Sequence, residues 1–444
     1  MDVKINKIVN LFDKKLFKEA LAEIEIFFQG KSFLNEDSNK LAIIYNIKGL
    51  VYLSLDILNK SKESFIEAIR LNPDFYPAFY NLGITYFNLG QYENSIKNYQ
   101  KAIDIKPDYP EAYNGIGVVL MHQQKIEGAI KEFIKALKYN PGQKHAYSNL
   151  IKSLSRVKSV SNETNVFVNT NKKLKKLKFI YNSTYKILDE DIKKFIKKSF
   201  EIIPKYIMNL DLDDEQTYRE NTIDLNCKRH FAVFNKYNVI PENCFGCYKV
   251  LIEPKNVVDL IKLYLIFDNL KLDKNYHRKC MIEMRPNIKG CYKGYIFCSS
   301  KKEAQTIFDN IGKILKKTIN ENILTSITSI KRGCSEFAEV YPNYNEINDD
   351  KKTLKYNPNW KKKENEIDKN YPRFAKIKNY RRTVNGISIH DILTIRNWLV
   401  YSKHINDKSY KKITNSDFNS VTIEKKLVEQ IQFRTKQYNI LIKL

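Results

Sequence analysis

Glycine is scarce in this chain, 14 in 444 residues, and none of the motifs built on it occurs. There is no GxxxxGK[ST], no GxGxxG and no GxSxG, and HExxH and HxD are absent too. Phosphate-cradling loops, a nucleophile elbow and a helical zinc-protease pair are thereby excluded. No apolar run approaches the roughly 20 residues of a membrane helix. The opening MDVKINKIVNLF lacks the continuous apolar core of an export signal. These absences predict a soluble cytoplasmic protein with no membrane partner. Cysteine is missing from the first 226 residues, and all seven lie between Cys227 and Cys334. An odd number of thiols in a cytosolic chain argues against a disulfide framework.

Positive charge, by contrast, is abundant and unevenly placed. The formal net charge is +26, of which residues 1–157 carry +4 and residues 158–444 carry +22. A basic half of this size suits RNA or another polyanion. Plentiful Lys, Asn, Ile and Tyr beside few Gly, Ala and Arg also fit an AT-rich coding sequence. Basicity alone therefore names no partner.

The most informative stretch runs from Tyr76 to Tyr109, because residue types recur 34 positions to either side of it. Aromatics recur at Tyr45, Phe79 and Tyr113, and again at Phe65, Tyr99 and Phe133. Glycine recurs at Gly49, Gly83 and Gly117, and alanine at Ala68, Ala102 and Ala136. Small residues recur at Ser61, Ser95 and Ala129, and proline at Pro73, Pro107 and Pro141. Helix A of the unit is expected near Pro77–Asn88 and helix B near Glu93–Ile105. Small residues let the helices approach and aromatics fill the gap, while proline ends helix B. Period and pattern resemble the tetratricopeptide repeat (TPR). Lys48 and Gly115 depart from the pattern, standing where leucine and asparagine are usual.

The resemblance implies an all-α TPR superhelix over residues 1–157: a degenerate repeat at 1–34, repeats at 42–75, 76–109 and 110–143, and a capping helix at 144–157. A polar insertion is expected at Asn35–Lys40. The resemblance also implies a peptide-binding groove on the helix A positions. Here those are Asn46, Leu50, Leu53, Tyr80, Asn81, Ile84, Phe87, Asn88, Asn114, Val118, Met121, His122, Ser148 and Lys152. Carboxylate-clamping grooves of the family are built from lysine and arginine, and this one offers only Lys152. An extended peptide with apolar side chains, its backbone held by asparagines, is the expected guest. Packing of this surface against the protein's own second half is the competing reading. Enzymes that carry such repeats, among them sugar transferases, sulfotransferases and iron/2-oxoglutarate oxygenases, find no motif here.

After a Ser/Asn-rich, then basic, linker at 158–177, a cysteine-rich α+β domain is expected over 178–340. A first helix would be capped by Asp189, with Ile192, Phe195, Ile196, Phe200 and Ile203 as its apolar stripe. Then come strand Tyr248–Glu253, helix Val257–Leu270, strands Lys279–Arg285 and Tyr292–Cys298, helix Lys302–Ile319 and strand Ser326–Arg332. This is the β-α-β-β-α-β order of a ferredoxin-like core, at 248–335. Residues 341–444 read as a polar segment followed by amphipathic helices Ile389–Tyr401 and Ile423–Arg434, after caps at Ser388 and Thr422.

Two constellations in this half carry chemistry. Cys227-x2-His230, then Cys244-x2-Cys247, has the pairing that chelates one tetrahedral Zn²⁺. Gly246 would ease the turn of CFGC. Ordinary buried thiols, an iron–sulfur site and a redox pair are the alternatives. The strand KGYIFCSS partly resembles the base-stacking strand of RNA-recognition domains, with Lys293, Gly294, Tyr295 and Phe297 matching. With Lys249, Glu283 and Arg285, the side chains of Lys293, Tyr295 and Phe297 would share one sheet face, for nucleic acid or a small ligand; solvated cross-strand ion pairs explain the charges more cheaply. No catalytic residue emerges. The expected function is a TPR protein-interaction scaffold with a basic, zinc-stabilised second domain. RNA binding through the sheet, or an enzyme of unrecognised type sited in the cysteine-rich domain, are the alternatives.

Overall fold

The computed structural model describes residues 3–30, 37–160, 164–182, 184–219, 227–272, 274, 276–285, 288–319, 328–349, 351–370, 383–416 and 418–441. It divides into two compact units, residues 1–150 with 368–376, and residues 151–367 with 377–444. Of the insertion expected at Asn35–Lys40, residues 35 and 36 lie outside the described residues, while Asp37 precedes and Ser38–Lys40 begin helix Ser38–Ser54.

Unit 1 is a series of helix pairs: α1 Val3–Asp13 and α2 Phe17–Gln29, α3 Ser38–Ser54 and α4 Leu58–Leu71, α5 Tyr76–Asn88 and α6 Tyr92–Ile105, α7 Pro110–His122 and α8 Ile126–Tyr139. The recurring glycines explain how each pair closes. A Cβ on Gly49 would stand 2.5 Å from the Phe65 ring, and one on Gly83 would stand 2.7 Å from that of Tyr99. The small residue of helix B then donates back to the glycine carbonyl, Ser61 to Gly49 at 2.9 Å and Ser95 to Gly83 at 2.7 Å. Each pair turns through a residue of positive φ, namely Lys15, Asp56, Gly90 and Gln124, two residues before helix B. The residue after it donates to the carbonyl five positions back in all four pairs, at 2.8–2.9 Å. The degenerate first pair therefore uses the same turn as the regular repeats, although its glycine and proline are gone. α9, Lys144–Leu154, contains the boundary between the units.

Unit 2 is built on a five-stranded sheet: β1 Gln216–Arg219, β2 Tyr248–Ile252, β3 Arg278–Ile282, β4 Tyr292–Cys298 and β5 Thr328–Arg332. Its order is β1-β3-β4-β2-β5 with every neighbouring pair antiparallel. Helices Val257–Asn269 and Lys301–Thr318 pack on the sheet. Gly294 admits the first of them, since a Cβ there would collide with Leu263. Strand β1 has no counterpart among the elements expected from the sequence.

Four expectations for unit 2 are corrected. The linker forms a helix at Val166–Lys176, because Asn165 caps it and Phe167, Val168 and Leu174 are buried. Asp189 begins its helix rather than capping it, and its carboxylate bridges Lys262 and Lys412. Ile389–His404 is capped by Ser388 as expected but is not amphipathic: every residue from Ile389 to Ser402 is buried. Three of its polar side chains reach backbone carbonyls, Arg396 that of Leu210, Asn397 that of Leu212, and Trp398 that of Glu215. Beyond it, Val421–Val428 and Ile431–Leu441 stand in place of one helix over Ile423–Arg434, and Ser420, not Thr422, occupies the cap position.

Candidate functional site

Helices α3, α5 and α7 carry the expected groove residues. Leu50, Leu53, Tyr80, Ile84, Phe87, Asn88, Asn114, Val118, Met121 and His122 are half-buried. Phe87 meets the His122 ring edge-on at 4.8 Å and lies 5.9 Å from Tyr92. The asparagines do not stand ready for a peptide backbone as expected. Asn81 donates to Asn46 at 2.9 Å, and Asn149 to Asn114 at 3.0 Å, so they bond each other across successive repeats. Between those two rungs the pattern is replaced. Gly115 holds the place of the next asparagine, and a Cβ there would lie 2.7 Å from the Tyr99 ring. Tyr99, Tyr80 and Tyr109 fill the space, with centroid separations of 5.6 and 5.2 Å from Tyr80. The expected cation of the groove, Lys152, is committed to Asp214 at 3.1 Å.

The cysteines gather differently from their sequence spacing. Cys244 lies in the single turn Glu242–Phe245, and Cys247 donates to its carbonyl at 3.4 Å. Gly246 has φ −88°, a conformation open to any residue, so the glycine is not what makes this turn. Burial, then neighbouring Cys334, Cys247 and Cys227, push the Cys244 thiol well up. Burial and Cys227 push Cys247 up to about 12. His230 is buried within helix Cys227–Tyr237. Among the described residues no group of three or more His, Cys, Asp or Glu side chains is placed so that it could hold a metal ion.

The expected ligand face of the sheet is corrected. Lys249, Glu283, Lys293 and Tyr295 are no more than 4% exposed, so no base can stack on that tyrosine. The ammonium groups of Lys249 and Lys279 lie 4.9 and 5.3 Å from its ring centroid, and half-buried Phe297 lies 6.0 Å from it. Glu283 binds Arg285 at 2.7 Å and Lys293 at 3.0 Å. Burial would raise the Glu283 carboxyl, but these two cations hold it down to about 2. The ion pairs exist, but they are interior rather than solvated.

A second buried network went unseen in sequence. Arg219 on β1 binds Asp391 at 2.9 Å and also meets Asp268 and the Tyr264 hydroxyl. Asp214 accepts from His390 at 3.2 Å, besides Lys152. Burial would raise the Asp214 carboxyl, but His390 and Lys152 hold it at about 2. No motif spacing announces these partners, because they are up to 176 residues apart.

Family models place the first unit. Residues 42–75 and 110–143 match a model described as tetratricopeptide repeat, residues 65–97 match another of that description, and residues 85–124 match one described as TPR repeat. Similar solved structures include the first TPR of Spaghetti bound to an HSP90 peptide, 21% identical, covering 26% of this chain and 91% of that one, with a TM-score of 0.25. They also include the Arabidopsis OM64 TPR domain, at 21% identity, 25% and 93% coverage and TM-score 0.25. YrrB, a TPR protein with an unusual peptide-binding site, gives 19%, 46%, 87% and 0.29. No curated protein sequence matches the chain. No described helix is long and apolar enough to cross a membrane. Residues 42–143 are tetratricopeptide repeats.

Proposed function

We propose that the first unit is a protein-interaction scaffold whose helix A surface takes an extended peptide bearing aromatic or aliphatic side chains. The observation that carries this reading is the half-buried row Tyr80, Ile84, Phe87, Val118 and Met121, with His122 edge-on to Phe87. Rigid aromatic surface anchors peptides at low cost in side-chain entropy. The paired asparagines leave less polar grip on the guest's backbone than free amides would, so side-chain pockets dominate selectivity. Peptides selected against the full chain from a random library should be rich in large apolar residues. Tyr80→Ala and Phe87→Ala should each weaken their binding at least about tenfold, the cost of losing roughly 1.4 kcal/mol, while circular dichroism stays helical. Undiminished capture by both variants would remove the groove from consideration.

For the second unit, the order β5-β2-β4-β3 with all-antiparallel neighbours supports reading 248–332 as a ferredoxin-like core, with β1 added at one edge. Its inner charges serve one another, which favours a structural role for this sheet face over nucleic-acid recognition.

A further inference from the structure

We infer that the helix A groove is held by a segment of this same chain, residues 371–376, which any outside guest must displace. This rests on the groove reading proposed above and names the groove's resident occupant. Residues 368–376 belong to the first compact unit, although the chain on either side of them belongs to the second. Both flanks are anchored in that second unit. Before the segment, helix Lys361–Asn370 buries Ile367 and Glu364, and Glu364 binds Arg229 at 3.0 Å and accepts from the Tyr356 hydroxyl at 2.8 Å. After it, Thr383 donates to the Tyr218 carbonyl at 2.8 Å and Val384 to that of Ser155 at 3.0 Å.

Residues 371–382, outside the described residues, have the sequence YPRFAKIKNYRR. The helix before them stops at Asn370, ahead of the Tyr371-Pro372 pair, as a proline's clash with the residue before it favours. Tyr371 and Phe374 are the large apolar side chains of the part that joins the repeats. Three positions apart, they share one side of the chain in polyproline II or in a helical turn alike. This is the chemistry the groove selects: an apolar and aromatic row beside asparagines already spent on one another. That end of the groove is engaged rather than bare. Phe87 and Asn88 on α5, Tyr92 on α6 and His122 on α7 each make a further polar, ring or electrostatic interaction beyond those given above, and so does Asp368 at the head of the segment. A segment tethered at both ends acts at an effective concentration on the order of millimolar. A guest's apparent affinity then falls by the fraction of chains in which the groove stands empty.

The test uses the full chain with photoreactive benzoylphenylalanine in place of Phe374. Irradiation should give an intramolecular cross-link that maps within Tyr76–His122. Failure to form any cross-link to residues 1–150, or one that joins two chains, overturns the inference. A fluorescent peptide of residues 368–378 supplies a second readout. The Tyr371→Ala/Phe374→Ala chain should bind it at least about tenfold more tightly than the unaltered chain does, and adding Phe87→Ala should abolish the gain. No gain in the double variant overturns self-occupancy, and the groove reading survives if Phe87→Ala still weakens library-selected peptides. Tight binding indifferent to both Tyr80→Ala and Phe87→Ala removes the groove reading, and this inference with it.

Discussion

The two units solve the same problem, closing a core, with partners at different distances along the chain. In the repeats the decisive contacts are local and periodic: an aromatic on a glycine and a serine on the same glycine's carbonyl, 12 residues away. In the second unit the core is closed by charges, with Arg219 held by Asp391 at a separation of 172 residues and Arg229 by Glu364 at 135. Periodic contacts declare themselves in a sequence, because each is a copy of the last. Single long-range ion pairs have nothing to be compared with.

The contrast can be broken most forcefully at Arg219. Arg219→Ala leaves Asp391 and Asp268 buried without their cation, which should cost about 3–5 kcal/mol. Peptide-resolved hydrogen exchange on the intact chain should show protection lost in the second unit and kept in residues 42–143. Equal loss in both would show that they do not differ in this way. Acid gives a milder version. The Asp214 and Glu283 carboxyls are depressed to about 2 from ordinary values of 3.8 and 4.5. Their contribution is therefore complete above pH ~4.5 and lost as pH falls toward 2, roughly 2–3 kcal/mol in all after allowance for their coupling. Exchange in the second unit should accelerate over that window, and Asp214→Asn should flatten part of the rise. The smallest effect sharpens the comparison from the other side. Gly115→Asn restores the residue usual in this family, yet it should destabilise the repeats by about 1–2 kcal/mol because its Cβ meets the Tyr99 ring. A stabilised variant in thermal unfolding would mean the tyrosines yield easily.

The repeats could be read almost position by position, since Gly49, Gly83 and Gly117 recur under Phe65, Tyr99 and Phe133. What sequence could not show was that Asn46 and Asn81 would spend their amides on each other; residue type predicts polarity, not its recipient. The sheet of the second unit was legible as alternating strands and helices. Strand β1 was not, because QTYR has neither length nor apolar alternation, and its place depends on register with β3. Ile389–His404 misled for a related reason. Arg396, Asn397 and His390 look like a solvated stripe until their backbone and carboxylate partners are in view. Cys334 is 87 residues beyond Cys247 in sequence, and only the β2–β5 pairing makes them neighbours.

The burial of Ile389–His404 on all sides bears on how the protein is made. Helix Val257–Asn269, buried from Val257 to Asp268 at every position but Asp259, contacts this later helix, which leaves the ribosome more than a hundred residues afterwards. At about 5–20 residues per second the delay is on the order of ten seconds. Repeats can stack as they emerge, each on the one before. The second unit must instead wait with the apolar run VVDLIKLYLIF lacking one of its partners, and nascent chains should be most exposed to chaperones and to aggregation in that interval.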